Sequence, residues 1–289
     1  MARIACLPLA PRPGAPEANR RAVMRALAGA CAEGADIVVL PELASSGYVF
    51  HTVEEVREAA VSADGPELRA WAAALTGDTM AVAGFPELGA DGRLHNSAAL
   101  LTAEGVRAVH RKAHLWDREK LFFTPGDAPP PVVSTPFGRI GVLICYDLEF
   151  PEYTRAAALD GADLLAVPVN WPLVPRPSRE RPPEVLIAQA AARVNRLAIA
   201  CCDRRGTERG QEWTEGTAIV GADGWVLAEH GTGDGDGDGV RGTSAGVWAE
   251  ADLTEGRDKR VSAHNDLFAD RRPHLYGEGG GPYEGAAGA

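Results

Sequence analysis

The sequence predicts an α/β fold. Apolar, β-branched runs alternate with alanine-rich amphipathic segments over most of the 289 residues, which is the pattern of strands and helices stacked in layers. With 45% hydrophobic and 24% charged residues, the chain can bury a sizeable core. We therefore expect one folded domain over residues 1–276, followed by a flexible, glycine-rich tail over residues 277–289.

The N-terminal half contains predicted strands and helices in alternation. Residues 4–9 predict a strand and residues 19–34 a helix, and the apolar run 36–40 predicts a buried strand that Pro41 stops. Two helices and three strands follow, at residues 53–60 and 66–75 for the helices and 80–85, 97–101 and 106–110 for the strands.

The C-terminal half begins with a turn at residues 136–138, which leads into a predicted central strand, 140–145, that ends at a cysteine. A proline in the first turn favours a helix over residues 151–160. The next predicted elements are a strand at 164–169, a helix at 183–196 and a strand at 197–202. No helical segment separates the last strands, so we expect antiparallel hairpins at a sheet edge, near residues 217–220, 225–228 and 246–252.

One segment between these last strands alternates glycine with aspartate, at residues 231–239. Its composition predicts a flexible hairpin loop, because glycine-rich chains order poorly. A calcium site is the alternative, since aspartate oxygens bind that ion, although the segment lacks the spaced apolar residue and repetition of calcium-binding repeats.

Charge and composition exclude several classes of partner. The formal net charge is -11, and the arginine pairs at 204–205 and 271–272 are only doublets, so we expect no nucleic-acid partner. The first ten residues do not resemble a signal peptide, and no apolar run approaches the roughly 18 residues of a membrane helix. The cysteines form no CxxC pair, which predicts that all of them are free thiols and that the protein is cytoplasmic; they are Cys6, Cys31, Cys145, Cys201 and Cys202.

Three reactive side chains stand where predicted strands end. Glu42 follows the strand at 36–40, Lys112 follows that at 106–110, and Cys145 ends that at 140–145. Singly, each is commonplace, since Glu and Lys are usually solvated and Cys is usually a small buried hydrophobe. Together they form a complete set for acyl transfer, because a cysteine needs a base and a developing oxyanion needs a cation.

The segments around these residues resemble the three signature blocks of the nitrilase, or carbon-nitrogen hydrolase, superfamily. The blocks are Leu40-Pro-Glu42, His110-Arg-Lys112 and the run from Gly141 through Cys145-Tyr-Asp to Glu152, and the resemblance extends over nearly the whole chain. It implies a four-layer α-β-β-α sandwich. It also implies a homodimer or higher homo-oligomer that assembles across the helical face.

The resemblance implies a role for each of these residues. Glu42 is the general base, Lys112 is the cation that stabilises the tetrahedral intermediate, and Cys145 is the nucleophile. The chemistry agrees, because a thiolate can attack an amide carbonyl, release ammonia, and leave a thioester that water hydrolyses. The backbone N–H of Tyr146 would complete the oxyanion hole. This reaction implies neither a metal nor an organic cofactor.

The resemblance also indicates residues around the reacting groups. In many members a second glutamate of the active site orients the substrate, and Glu119 corresponds to it, one position earlier than the commonest spacing. The alternative is that Glu119 is a solvated helix residue. Asp117 is a weaker candidate for the same role. Asn170 and Trp171 resemble the substrate-side loop, where an amide could hold a carbonyl and a ring could wall the pocket. A purely structural role is the alternative for both.

Two residues near the cysteine bear on the substrate. Tyr146-Asp147 differs from the Cys-Trp-Glu typical of nitrile-hydrolysing members, which favours amide or carbamoyl substrates. Glu149 stands where many amidases have arginine, which predicts a cationic ω-amino or ω-guanidino tail by charge complementarity. The alternative is that Glu149 is solvated or pairs with Arg155 or Arg193.

The histidines beside Lys112 raise the question of a metal. His110 and His114 are four residues apart, but no nearby carboxylate-histidine pattern completes a zinc site. We expect no metal there, and we expect His114 to be a structural hydrogen-bonding residue.

The sequence therefore predicts an amidase that hydrolyses a small linear aliphatic amide to a carboxylate and ammonia through a cysteine thioester. An N-carbamoyl-amine hydrolase is the nearest alternative, because the same groups can cleave a carbamoyl bond. A catalytically silent scaffold or binding protein with the same fold is the alternative of another class. The presence of all three catalytic residue types argues against that silence.

Overall fold

The computed structural model describes residues 1–177, 180–230, 240–241 and 246–276. It divides the chain into two compact units, Met1–Arg257 and Asp258–Ala289. This division falls before the boundary predicted after residue 276, and the predicted extent of the domain stays a prediction. The expected hairpin loop or calcium site at 231–239 and the expected tail at 277–289 lie outside the described residues.

Strands occur throughout the described part of the first unit. In chain order they are β1 (Ala2–Cys6), β2 (Ile37–Val39), β3 (Met80–Leu88), β4 (Leu94–Thr102), β5 (Gly105–Arg111), β6 (Val132–Thr135), β7 (Gly138–Val142), β8 (Leu164–Pro168), β9 (Ala198–Cys202), β10 (Thr207–Glu208), β11 (Gln211–Glu212), β12 (Ala218–Val220), β13 (Val226–Glu229), β14 (Val240–Arg241) and β15 (Val247–Ala251).

These strands form two large sheets and one short ribbon. The first sheet has the order β15-β1-β2-β3-β4-β5 and the second the order β14-β13-β12-β9-β8-β7-β6, while β10 and β11 pair with each other. Each large sheet has three parallel strands at its centre, β1-β2-β3 in the first and β7-β8-β9 in the second. Antiparallel strands flank both centres.

The α-helices of the described residues are α1 (Pro16–Ala32), α2 (Val53–Ala59), α3 (Pro66–Ala73), α4 (Pro151–Leu159) and α5 (Pro183–Asn195). All except α2 begin with proline, which suits the first turn because a backbone N–H there has no partner within the helix. Short 3-10 helices occupy Asp117–Leu121, Cys145–Glu149, Glu255–Arg257 and Pro273–Leu275.

The helices cover the outer face of each sheet. Leu27 of α1 and Trp71 of α3 are buried in one apolar cluster with Val38 of β2 and Ala83 of β3. On the other side, α5 packs against β9 and β12, and α4 packs against α5. The two sheets contact each other through β1, β2, β8 and β9. The predicted four-layer α-β-β-α sandwich is therefore confirmed.

Two sequence predictions need correction. The strand predicted at 246–252 forms no hairpin with 217–228, because β15 instead pairs antiparallel with β1 and covers the open edge of the first sheet. The strand predicted to reach Cys145 ends at Val142, because the backbone N–H of Ile144 turns toward the carboxylate of Asp147. The sequence pattern does not predict β6, which pairs with β7, or the short ribbon of β10 and β11.

The described part of the second unit is short and mostly irregular. Arg260 and Asp266 form an isolated antiparallel bridge, and Lys259 Nζ lies 4.8 Å from the ring centre of Phe268. The Asp266 carboxylate accepts the backbone N–H groups of Phe268 and Ala269, which closes a turn. In the part of the chain that is described, no helix has both the length and the apolarity to cross a membrane.

Candidate active site

Lys112 lies between two buried carboxylates. It comes directly after β5, it is fully buried, and its Nζ lies 2.7 Å from Glu42 Oε1 and 2.7 Å from Glu119 Oε1. Burial alone would lower the Lys112 pKa, but the negative charges of Glu119 and Glu42 raise it well above its ordinary value. The side chain is therefore an ammonium at neutral pH.

Glu42 reaches this position because the chain after β2 runs very close to β3. A Cβ atom on Gly84 of β3 would lie 2.4 Å from the backbone nitrogen of Leu43 and 2.7 Å from the Cα of Glu42. No side chain fits there, so glycine is required at position 84. The Glu42 carbonyl oxygen accepts a 2.8 Å hydrogen bond from Asn170 Nδ2, which follows β8 and joins the ends of the two sheets.

The two carboxylate oxygens of Glu42 have different surroundings. Oε1 accepts hydrogen bonds of 2.7 Å from Lys112 Nζ and of 2.7 Å from Asn96 Nδ2. Oε2 has no hydrogen-bond partner among the residues that the structure describes. Burial raises the Glu42 pKa to about 7, although Lys112 opposes that rise. A carboxylate with a pKa near neutrality and one free oxygen is well suited to act as a general base.

Cys145 begins the 3-10 helix Cys145–Glu149 and has a φ of 46°, in the left-handed region that non-glycine residues rarely adopt. Its sulfur lies 3.9 Å from the carbonyl oxygen of Asn170. Burial raises the pKa of the Cys145 thiol well above its ordinary value, and the negative charge of Glu42 raises it further. The resting thiol therefore keeps its proton and must pass it to a base when it attacks.

Asp147 fixes the turn that carries Cys145, a role that the Cys-Tyr-Asp motif did not predict. Its Oδ2 accepts the backbone N–H of Ile144 at 3.1 Å and His110 Nε2 at 2.8 Å, and its Oδ1 accepts His114 Nδ1 at 2.8 Å. These bonds hold the Asp147 pKa well below its ordinary value against the effect of burial.

The same contacts explain the two histidines. Because both rings donate to one carboxylate, they connect the strand and loop on either side of Lys112 to the turn of Cys145. The expected hydrogen-bonding role of His114 is confirmed. Within the described residues no group of three or more side chains is arranged to hold a metal ion.

A small cavity opens beside Glu119. Its volume is about 130 Å³. Most of its wall is aromatic or apolar, from Tyr48, Val49, Phe50, Trp116, Phe122, Phe123, Pro172 and Trp213. The polar part of the wall comes from Asp117, Arg118, Glu119 and Gln211. Trp116 packs edge-on against Tyr146, the residue after Cys145, with ring centres 4.9 Å apart. Glu119 connects the cavity to Lys112, whereas Glu42, Lys112 and Cys145 are not among the lining residues.

A protein-family model described as carbon-nitrogen hydrolase matches residues 3–235 of the chain. The chain belongs to the carbon-nitrogen hydrolase family. This match covers the turns that carry Glu42, Lys112 and Cys145, so the family resemblance and the geometry of the site agree. The protein is an amidase-type hydrolase with Cys145 at the catalytic position.

Individual relatives are similar over almost the whole hydrolase. A curated protein named nitrilase, from Pyrococcus abyssi, is 35% identical over 96% of this chain and 99% of its own length. N-carbamoylputrescine amidase from Arabidopsis thaliana is 32% identical over 89% of this chain and 88% of its own length. Among solved structures, a cysteine-to-alanine mutant of a nitrilase-superfamily amidase from Nesterenkonia is 28% identical with a TM-score of 0.73, and 95% of each chain is covered.

The remaining predicted site residues of the hydrolase occupy different environments. Asn170 is buried, and its Oδ1 has no hydrogen-bond partner in the described part of the chain. Trp171 is buried against Gly216, and Tyr146 is partly buried. Glu149 is exposed and does not line the cavity, and partial burial together with the charge of Glu184 raises its pKa. Substrate contacts of these residues stay predictions.

Two residues that contact the site carboxylates were not predicted from the sequence. Tyr48 donates its hydroxyl hydrogen to Glu119 Oε1 at 2.6 Å, and Asn96 donates to Glu42. Neither residue stands at a strand end beside a recognised block: Asn96 lies inside β4, and Tyr48 lies in a loop. No local sequence signal separates them from ordinary polar residues.

Proposed function

We propose that this hydrolase cleaves a small linear aliphatic amide to a carboxylate and ammonia, through a thioester on Cys145. The observation that carries the proposal is the position of Lys112 between Glu42 and Glu119, with the second oxygen of Glu42 unoccupied. Asn170 connects this group to the nucleophile, because its carbonyl oxygen lies 3.9 Å from the Cys145 sulfur and its Nδ2 donates to the Glu42 carbonyl oxygen at 2.8 Å.

In the first half-reaction, Glu42 Oε2 takes the thiol proton while the Cys145 sulfur attacks the amide carbonyl carbon. The carbonyl oxygen becomes an oxyanion, and Lys112 Nζ stabilises it together with the backbone N–H of Tyr146. The proton on Glu42 then passes to the amide nitrogen, the carbon–nitrogen bond breaks, and ammonia leaves. The product is a thioester between the acyl group and Cys145.

In the second half-reaction, a water molecule replaces ammonia. Glu42 takes a proton from this water as its oxygen attacks the thioester carbon, and Lys112 again stabilises the oxyanion. The carbon–sulfur bond breaks, the sulfur recovers the proton from Glu42, and the carboxylic acid that leaves releases its own proton to the solvent to become the carboxylate. Both half-reactions use the same base and the same cation, so one site serves both steps.

The cavity beside Glu119 supports a small substrate. Its volume of about 130 Å³ is well below the range of about 300–1,000 Å³ that drug-sized ligands occupy. Its aromatic and apolar wall suits an aliphatic acyl chain. We propose that Asn170, whose Oδ1 is buried and has no partner among the described residues, accepts an amide N–H of the substrate. We propose that Trp171, which follows it in the sequence and is also buried, forms the wall of the pocket there.

A cationic tail on the substrate is the finer part of this proposal. Two carboxylates support it, because the 3-10 helix that ends at Glu149 packs against α5, which carries Glu184 in its first turn. Partial burial and the negative charge of Glu184 both raise the Glu149 pKa. Glu149 is exposed and outside the cavity lining, so it would act on the far end of an extended tail.

An N-carbamoyl-amine hydrolase is the second candidate, supported by the similarity to an N-carbamoylputrescine amidase. The experiment measures ammonia release from pentanamide, 5-aminopentanamide and 4-guanidinobutanamide, and carbon dioxide release from N-carbamoylputrescine. A Cys145→Ala variant is the control. Amide turnover that requires Cys145 supports the amidase, and carbon dioxide release without amide turnover supports the second candidate. No turnover of any compound would leave the silent scaffold as the better account.

A homo-oligomer and a cytoplasmic location complete the proposal. Exposed apolar side chains on α4 and α5 support assembly across the helical face; they are Leu159, Leu186 and Val194. The free state of all five cysteines supports a reducing compartment. Light scattering on the purified protein tests the assembly, and a monomer at micromolar concentration would argue against it.

A further inference from the structure

Tyr48 shares an acceptor atom with Lys112. The Tyr48 hydroxyl lies 2.6 Å from Glu119 Oε1, and Lys112 Nζ lies 2.7 Å from the same oxygen. The other oxygen of Glu119 accepts the backbone N–H of Trp116 at 3.0 Å. Asn96 Nδ2 makes a longer contact, of 3.5 Å, with the oxygen that Tyr48 and Lys112 share. Four groups therefore hold Glu119, and Tyr48 supplies the contact from the loop after Gly47.

The loop that carries Tyr48 is anchored by Glu208 of β10. Glu208 Oε1 accepts the backbone N–H groups of Tyr48, at 2.8 Å, and of Val49. Gly47, with a φ of 84°, brings the chain so near that a Cβ there would lie 2.8 Å from Glu208 Oε2. Such an approach is possible only for glycine. The carboxylate of Glu208 thus fixes the backbone from which the Tyr48 ring extends.

Arg204 neutralises and orients Glu208. The two side chains form a salt bridge in which both are almost completely buried. Arg204 Nη2 also donates to the carbonyl oxygen of Pro11 at 2.9 Å, and its Cζ lies 4.6 Å from the ring centre of Trp213. Trp213 in turn packs edge-on against Tyr48, with ring centres 5.5 Å apart. One buried cation therefore supports two walls of the cavity.

We propose that the Arg204–Glu208 ion pair and the Tyr48 hydroxyl form a positioning unit, which holds Glu119 against the Lys112 ammonium and thereby aims that ammonium at the reacting carbonyl. This inference rests on the proposed function. It gives a role to Arg204, Glu208 and Tyr48, which lie behind the reacting groups and touch them only through Glu119 and the cavity wall.

A merely structural ion pair would affect stability and leave the chemical step unchanged in the folded enzyme. A positioning unit lowers kcat, because a displaced ammonium stabilises the oxyanion less well. The KM changes less, since the apolar cavity wall that receives the acyl chain is kept in a Tyr48→Phe variant. The division of the effect between kcat and KM therefore separates the two roles.

The experiment measures kcat, KM and Tm of Tyr48→Phe, Glu208→Ala, Glu208→Gln and the double variant Tyr48→Phe/Glu208→Ala. Loss of one hydrogen bond to a charged group corresponds to a fall in kcat of about 10- to 100-fold for Tyr48→Phe. Glu208→Ala gives a fall of similar size, and Glu208→Gln recovers part of it because its amide oxygen can still accept an N–H group. The double variant is no slower than the slower single variant, since both changes release the same contact.

Glu67→Ala is the matched control. Glu67 is also a buried carboxylate paired with an arginine, Arg20, but it lies on α3 in the outer helical layer. This variant loses stability and keeps the wild-type kcat below its Tm. A wild-type kcat in Tyr48→Phe, or losses that multiply in the double variant, overturns the positioning unit. If the wild-type enzyme hydrolyses no amide, the proposed function is wrong, and the positioning role is wrong with it.

Discussion

Lys112 Nζ lies 2.7 Å from Glu42 Oε1, so the two carboxylate oxygens of Glu42 have different surroundings and, in the proposed mechanism, different roles. The bonded oxygen holds the ammonium in place. The other oxygen has no hydrogen-bond partner among the described residues, so it is available to accept and return a proton. Because Glu119 binds the same ammonium, Lys112 keeps its charge while Glu42 changes its protonation state.

The first prediction concerns pH. Burial raises the Glu42 pKa to about 7, and only the ionised carboxylate can take the thiol proton. Below that pH most of the enzyme carries a protonated Glu42 and is inactive. We therefore expect kcat/KM for an amide substrate to rise with pH through an inflection near 7 and to level off above it. A flat profile from about pH 5 to 9, with the protein folded throughout, would contradict this role.

The second prediction concerns Lys112→Met. Removal of the cation takes away one stabilising group of the oxyanion, which lowers kcat on the order of 100- to 1000-fold. It also leaves Glu42 and Glu119 buried without their ammonium, so the free energy of unfolding falls by about 3–5 kcal/mol. Lys120→Met is the control, because Lys120 is exposed on the same 3-10 helix as Glu119. Equal effects of the two substitutions in kinetics and thermal unfolding would count against the account.

The third prediction concerns Asp147→Asn. The folded-state pKa of Asp147 is depressed, so its carboxylate stabilises the fold above the ordinary pKa of 3.8, and this contribution is lost as the pH falls through the folded-state value. The variant is therefore less stable than the wild type at neutral pH, and the difference shrinks in acid. Since the turn of Cys145 loosens, kcat falls about tenfold or more.

The comparison for that substitution is Asp160→Asn, which changes an exposed aspartate whose carboxylate lies 3.7 Å from Arg139 Nη2. Exposed pairs contribute about 0–1 kcal/mol, so Tm and kcat of this variant stay near the wild-type values. Chemical unfolding at several pH values measures both variants. A stability deficit of Asp147→Asn that does not depend on pH would argue against the ionised network.

The fourth prediction concerns the substrate tail. If Glu149 and its neighbour Glu184 attract a cation, 5-aminopentanamide has a kcat/KM at least about tenfold above that of pentanamide, which corresponds to about 1.4 kcal/mol. Glu149→Gln reduces this ratio, whereas Glu152→Gln, an exposed acid on α4, leaves it unchanged. Equal rates for the two amides in the wild type would remove the charge argument and leave a neutral aliphatic substrate.

The layers of the fold followed from the sequence where the pattern is local. Alternating apolar and amphipathic segments identified α1 to α5 and the central strands, since a helix buries one apolar face and a central strand such as β2 or β8 is a continuous apolar run buried on both faces. The partner of β15 could not be derived in this way. Its pairing with β1 joins residues almost 250 positions apart, such as Ala2 and Ala251, and nothing within either strand specifies that choice.

The site residues were likewise predicted where the signal is local and not where it depends on distant residues. Glu42, Lys112 and Cys145 were found because each follows or ends a predicted strand inside a recognisable block. Tyr48 was not, because its partners are distant: 71 positions separate it from Glu119 and 160 from Glu208. Hydrogen bonds of this kind depend on how loops from two sheets meet, and the identity of a single polar residue does not reveal them.

The proposed mechanism requires the sulfur of Cys145 to carry the acyl group during turnover. Rapid acid quench of the enzyme with a primary amide, followed by mass spectrometry of the peptide that contains Cys145, measures this directly. We expect a mass gain on that peptide equal to the mass of the substrate less that of ammonia, and no hydrolysis by Cys145→Ala. A Cys145→Ala variant that releases ammonia at the wild-type rate would contradict it.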